Sequence, residues 1–318
     1  VTVNSLAFQR ISQPTNQLND NRKRDRIFEL FNLSTSQFIL LNIPKKLSGA
    51  NLTGTSQLSP LEETMRNDPD KPDRVYYFGT CLADMFYPEA GMAGIKLIQQ
   101  QGVKVIFPSQ QTCCGQPAYN SGFPAEARAV ARKQIDIFYK DCPIVVPSGS
   151  CAGMMKHHYP ELFENDPGIA DIKAFSARIY ELSEFLVNVL NVKLEDQGEP
   201  IKVTWHSSCH AMREMKVTED SKSLIRQLKN VELIDLENEY ECCGFGGTFA
   251  VKQAQLSGVM VNDKVEYIKQ SGATRVLSGD CGCLMNISGA MDYRNEQIAG
   301  QHLAEFIWER INGQSSNT

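Results

Sequence analysis

No apolar run in this chain approaches the ~20 residues that a helix needs to cross a bilayer. The most hydrophobic early stretch, Phe38–Ile43, is also too short and too late for a signal-peptide core, so a cytoplasmic location is expected. Positive charge is not in excess: 32 Lys and Arg stand against 37 Asp and Glu, for a net charge of −5. That balance excludes the basic surface of a nucleic-acid binder. Neither a GxGxxG fingerprint nor a P-loop occurs, so nothing points to a flavin, nicotinamide or ATP bound by this chain. The paired CxxC knuckles of a zinc ribbon are missing too. No acid–base constellation around a substrate pocket stands out, and no catalytic residue is assigned. If the chain takes part in oxidising a substrate, the acceptor is therefore expected to lie elsewhere, with this chain passing electrons on.

What the sequence does have is cysteine. With 318 residues, 42% hydrophobic and 22% charged, it can bury the cores of two domains without disulfides. In a reducing compartment its ten cysteines therefore read as metal ligands or redox thiols. Cys81 is followed after 31 residues by Cys113-Cys114, and 36 residues later by Cys151. Cys209 is followed after 32 residues by Cys242-Cys243, and 37 residues later by Cys281. The copies are offset by 128, 129 and 130 positions. The neighbouring residues repeat as well: Cys-Cys-Gly115 with Cys-Cys-Gly244, Pro147-Ser-Gly-Ser-Cys151 with Leu277-Ser-Gly-Asp-Cys281, and Tyr180-Glu-Leu-Ser-Glu-Phe185 with His302-Leu-Ala-Glu-Phe306. This is an internal duplication.

Each copy predicts the same elements: a strand (75–79; 201–205), a helix (85–101; 219–229), a strand entering the CCG turn (103–107; 231–236), an amphipathic helix (125–140; 250–270) and a third strand (144–146; 275–277). Alternating strands and helices imply right-handed crossovers and a parallel sheet in each half. The expected fold class is α/β: two tandem homologous cysteine-rich domains, each a small parallel sheet flanked by helices. Their expected bounds are 73–195 and 196–318, preceded by a weakly ordered polar extension, 1–72, with one helix near 25–33.

The repeated cysteines all follow strands, so they gather at the carboxyl edge of each sheet. There the helix amino ends favour thiolate. The expected metal ligands are Cys81, Cys113, Cys114 and Cys151 in one half, and Cys209, Cys242, Cys243 and Cys281 in the other, with Cys283 a candidate fifth. Cys142 precedes its strand while Cys151 follows it, which separates the two and makes Cys142 an inert buried cysteine. His210 is a candidate to hydrogen-bond a cluster sulfur. His206, on an alternating strand end, is expected to face away from Cys209 as a satisfied structural histidine with no metal-bound role, and His157 and His158 are assigned no chemistry. Phe245-Gly-Gly247 reads as a tight cluster loop. Four thiolates per half suit an iron–sulfur cluster; structural zinc and thiol–disulfide chemistry by the adjacent pairs stay open.

The double Cx31CCx36C pattern resembles the cysteine-rich (CCG) domain found in heterodisulfide reductases and in the iron–sulfur component of glycolate oxidase. Phe78-Gly-Thr-Cys81, Gln111-Thr-Cys-Cys-Gly-Gln-Pro117, Pro147-Ser-Gly-Ser-Cys-Ala-Gly-Met154 and Glu241-Cys-Cys-Gly-Phe-Gly-Gly247 are most similar to the lactate-utilisation protein A group of that family. The resemblance covers residues 74–312. It implies one 4Fe-4S-type cluster per half, with zinc in one half the alternative. It also implies a cytoplasmic subunit of a complex that oxidises L-lactate to pyruvate with a ferredoxin-like iron–sulfur subunit and a third lactate-utilisation subunit; glycolate and other 2-hydroxy acids would leave the same pattern. The heterodisulfide reductase type ends in CxxC. Here Met154 stands at that position in the first half, and Cys281-Gly-Cys283 is one residue short in the second. Heterodisulfide cleavage is therefore disfavoured for the first half at least, and four-thiolate clusters are expected, with ligand sets that differ by the candidate fifth thiolate Cys283 of the second half.

Overall fold

A computed structural model describes residues 71–313. Of the N-terminal extension only Lys71 and Pro72 fall inside it, and the helix expected near 25–33 lies outside the described residues. The first sheet comprises β1 (Arg74–Tyr77), β2 (Lys104–Ile106), β3 (Ile144–Val146) and β4 (Ile179–Glu181). The second comprises β5 (Ile201–Trp205), β6 (Val231–Ile234), β7 (Arg275–Ser278) and β8 (Ala299–His302). Their orders are β2-β1-β3-β4 and β6-β5-β7-β8, parallel throughout. The duplicated α/β fold is thus present, with one strand more per sheet than the sequence predicts. Strands β4 and β8 read Ile-Tyr-Glu and Ala-Gly-Gln-His, with no apolar run to announce them. They form because a neighbouring ladder supplies partners for their backbone groups.

The central strands β1, β3, β5 and β7 are buried along most of their length, as expected of parallel sheets covered on both faces. The main core is shared between the halves. Tyr77 and Val145 of one sheet, Trp205 and Leu277 of the other, and Leu97, Phe185, Leu224 and Phe306 from helices form one apolar cluster. A second cluster lies in the first half, with Met215 of the second packed against it, and a third belongs to the second half alone. The joint is reciprocal. Helix Leu303–Ile311 of the second half packs on Pro88–Gln100 of the first, while Leu182–Glu184 of the first packs on Thr218–Arg226 of the second. Nearer the cysteines, Gly149–Gly153 meets the turn 211–215, and Cys281–Tyr293 meets Cys81–Phe86. Two-fold pseudosymmetry of this kind brings the carboxyl edges of both sheets to one place.

Candidate metal centre

Each cysteine is delivered by a strand end or by the first turn of the helix that follows. Cys81 opens helix Cys81–Phe86, and Thr80 caps it by accepting from Ala83 N at 3.3 Å. Gly115 and Gly244 follow the adjacent pairs with φ of 87° and 81°, the left-handed region that glycine enters freely. In each half that glycine's N–H points back at the first cysteine of the pair, Gly115 N to Cys113 Sγ and Gly244 N to Cys242 Sγ, both at 3.4 Å. A Cβ on Gly244 would lie 2.7 Å from Ser257 O, so the turn closes tightly onto the next helix.

In the first half Cys81, Cys113, Cys114 and Cys151 converge. Cys114 Sγ lies 3.4 Å from Cys151 Sγ, and Cys113 accepts hydrogen bonds from the thiols of Cys114 and Cys81. Those two bonds hold Cys113 well below the ordinary thiol range, while Cys81 and Cys114, as donors, are pushed up. The second half repeats the pattern: Cys242 is held low by the thiols of Cys209 and Cys243. Each set therefore favours a thiolate at the same position, the form that binds metal.

The fourth member of the second set is Cys283. It shares a hydrogen bond with Cys243, whereas Cys281 has no such thiol partner and is pushed up mainly by burial, beside Asp280 and Cys151. The ladder explains why. Tyr77 faces Val145 and Trp205 faces Leu277, which places the third strands 132 positions apart. The residues capping the following helices, Ser148 and Asp280, keep that spacing, so Cys151 corresponds to Cys283. The repeated Ser-Gly words at 148–149 and 278–279 are two residues out of structural register. Cys281 corresponds to Gly149 and sits at the seam, within electrostatic reach of Tyr77 and Tyr87.

All the cysteines except Cys142 line one cavity of about 390 Å³ between the halves. The two halves thus do not hold separate, remote sites. Asp280 ties them together: its carboxylate accepts from Ser148 Oγ at 2.9 Å, from Ser150 N at 3.1 Å and from Gly282 N at 3.1 Å. Ser121 and Thr248 bridge the halves by a 2.8 Å hydroxyl contact. Cys142 is buried with Tyr76 and Phe138, and its carbonyl accepts from Arg178.

Comparison with known proteins agrees with this architecture. A family model described as the CCG cysteine-rich domain matches residues 75–156 and 203–288. The chain belongs to the CCG cysteine-rich domain family. It is 44% identical over 235 residues to "Lactate utilization protein A" of Halalkalibacterium halodurans, covering 74% of this chain and 96% of that protein. It is 42% identical over 240 residues to the protein of that name from Bacillus subtilis, covering 74% and 100%. Among solved structures, a hypothetical protein from Helicobacter pylori superposes with a TM-score of 0.54 at 9% identity, over 81% of this chain and 55% of that one, which speaks to fold alone.

Within this CCG chain, several polar residues surround the cysteines. His210 Nδ1 lies 3.7 Å from Cys209 Sγ, and its Nε2 is 3.7 Å from Glu214. His157 is exposed, and His158 is spent on Glu161 and Glu214 at 2.8 and 3.3 Å. His206 departs from expectation. It is fully buried, neither ring nitrogen has a partner, and it approaches the second set from the side of Cys243 and Cys283. The donor atoms of these three residues lie within 4.8 Å of one another. Burial, reinforced by the Lys264 charge, lowers the imidazole pKa to about 3, so it is neutral. Lys264 is itself buried and donates to Asn238 O at 2.7 Å. Strand alternation sets His206 apart from Cys209 but says nothing of a loop cysteine arriving from another strand, and so the sequence reading missed it.

Proposed function

We propose that the chain is the electron-relay subunit of a multi-subunit system oxidising a 2-hydroxy acid, L-lactate first among the candidates, with one iron–sulfur cluster bound in each half. The observation that carries this is the pairing of two four-cysteine sets on one cavity. Cys81, Cys113, Cys114 and Cys151 would hold one cluster; Cys209, Cys242, Cys243 and Cys283 would hold the other. Adjacent thiols at 3.4 Å, one thiolate favoured per set, and a buried imidazole without a partner are a donor set that fits such a group. The substrate class is supported by the names of the relatives. When bound, the clusters supply one-electron chemistry. The protein's own part is to fix the sulfurs, to exclude water from Cys114, Cys243 and Cys283, all buried, and to keep the two sites adjacent. A ferredoxin-like iron–sulfur subunit and a third subunit of the same system, all cytoplasmic, complete the proposal.

Anaerobic purification with iron, sulfide and zinc analysis tests it. Iron and sulfide in both halves, with loss of one cluster in Cys114→Ser and none in Cys142→Ser, is the expected result. Zinc in place of iron would sink the proposal. So would a clustered protein that reduces disulfides without any partner.

A further inference from the structure

The two cysteine sets differ most in what stands behind them. Strands β1 and β5 are 128 positions apart in register, since Tyr76 faces Ile106 and Thr204 faces Ile234. Phe78 and His206 are therefore the same backbone position. Both are fully buried. Phe78 packs against Phe138 with ring centroids 5.9 Å apart and asks for no polar partner. His206 instead buries two nitrogens that no protein group satisfies. Burying a polar group without a partner is unfavourable, and an apolar ring at the same position avoids that cost, as the first half demonstrates. Buried polar groups in native folds have partners, and an orphan calls for an unrecorded one.

The geometry supplies that partner. A nitrogen of His206 and the sulfurs of Cys243 and Cys283 are mutually within 4.8 Å, the spacing of donors converging on one centre. Imidazole and thiolate ligate the same metals, iron and zinc among them. We infer that His206 is a nitrogen ligand to the metal group of the second half, making that site a mixed imidazole–thiolate centre while the first is all-thiolate. This rests on the iron–sulfur reading for the identity of the metal, though not for the ligation itself. His206 would join the four thiolates of that half as a neutral donor, so the two centres would differ in ligand set without a difference in thiolate number.

The test uses the full chain, purified anaerobically and reduced, with natural-abundance and ¹⁵N-histidine-labelled protein compared by pulsed EPR. The inference expects a histidine nitrogen coupling on one of two cluster signals, changed in frequency by the label. It expects that coupling to be absent in His206→Phe, which copies the first half, and kept in His210→Phe. Bound iron and sulfide with no histidine coupling, or a coupling that survives His206→Phe, overturns the inference and leaves the iron–sulfur reading standing. Should His206→Phe fail to fold, the labelled wild type and His210→Phe still decide. Should the wild type bind no iron, the functional reading fails instead, and cobalt(II) added to the metal-free chain takes over as the probe. A strongly shifted imidazole N–H proton that persists in His210→Phe and vanishes in His206→Phe then upholds the ligation; its absence from the wild type overturns it.

Discussion

The two halves use the same ladder order and the same CCG turn, yet their sites are not copies. Both turns place a left-handed glycine so that its N–H meets the first sulfur of the pair at 3.4 Å. Beyond the sulfurs the likeness stops. Phe78 answers to His206. Gly115 packs over Ala127 and Val130, as Gly244 does over Ser257 and Met260; that register pairs Gln134 with Lys264. Gln134 spends its amide on Thr112, whereas Lys264 brings a buried cation near Cys242 and Cys243. Behind the strand-to-cysteine turns, Gln111 binds Gly79 N at 2.8 Å, and its counterpart Glu239 binds Ser207 Oγ at 2.6 Å with Lys222 beside it. Backbone constraints keep the sulfurs of each set together. The shell behind is free to diverge, and that shell sets potential.

The largest effect expected from breaking this comparison is loss of a whole site. Cys151→Ser and Cys283→Ser should each empty one half, while Cys281→Ser should leave both loaded, as read by iron and sulfide per chain. Retained iron in Cys283→Ser with loss in Cys281→Ser would restore the register suggested by the Ser-Gly words and refute the one drawn from the ladders.

Next is the fastening of the two last helices. Arg310 holds Asp196 with two bonds, Nε to Oδ1 at 2.7 Å and Nη2 to Oδ2 at 2.8 Å. The position equivalent to Arg310 in the first half, counted from the caps Glu181 and His302, is the half-buried Val189. Arg310→Leu strands a buried carboxylate and should cost about 3–5 kcal/mol. Val189→Ala removes only carbon and should cost about 1 kcal/mol. Chemical denaturation of the full chain measures both; equal losses would show that the ion pair is not what secures the second helix.

The seam gives a smaller asymmetry. Gly149 and Cys281 are equivalent, but a Cβ on Gly149 would lie 2.4 Å from Ala211 Cβ and 2.8 Å from its Cα. Gly149→Ala must push the halves apart and should cost about 1–3 kcal/mol. Cys281→Ala, at a position that already accommodates a side chain, should cost less by the same denaturation assay. A neutral Gly149→Ala would mean that the joint yields.

The duplication, the parallel α/β class and the convergence of cysteines were legible because spacing and hydrophobic runs carry them. The CCG glycines were legible too, as part of the Cys-Cys-Gly words repeated in both halves. Three things were not. Strands β4 and β8 draw their stability from a neighbour's ladder and have no apolar run of their own. The equivalence of Cys151 with Cys283 depends on which backbone positions face each other, and the repeated Ser-Gly words disguised it. The position of His206 depends on a contact between two strand ends far apart in sequence, which period-two alternation within one strand cannot supply.

The finest test concerns the two helix caps, Glu181 and His302, which occupy equivalent places and should respond to pH with opposite sign. Glu181 caps its helix by accepting from Ser183 N at 2.6 Å and from the Ser183 hydroxyl. Burial nevertheless pushes its carboxyl up from 4.5 to about 7. The folded chain therefore binds this proton more tightly than the unfolded one, and its contribution is lost as pH rises between about 4.5 and 7. His302 accepts from Ala304 N at 3.2 Å and is buried, which lowers its pKa below 6.5. Here the unfolded chain binds the proton more tightly, so stability is gained as pH rises toward 6.5. In the wild type the two slopes oppose each other. Relative to the wild type, Glu181→Gln, which keeps an acceptor, should tilt the curve toward climbing with pH, and His302→Gln should tilt it toward falling. Melting temperatures of the metal-loaded chain across about pH 5 to 8, a span covering both windows, read the slopes. Parallel curves for the two variants would mean that neither cap titrates as its burial requires.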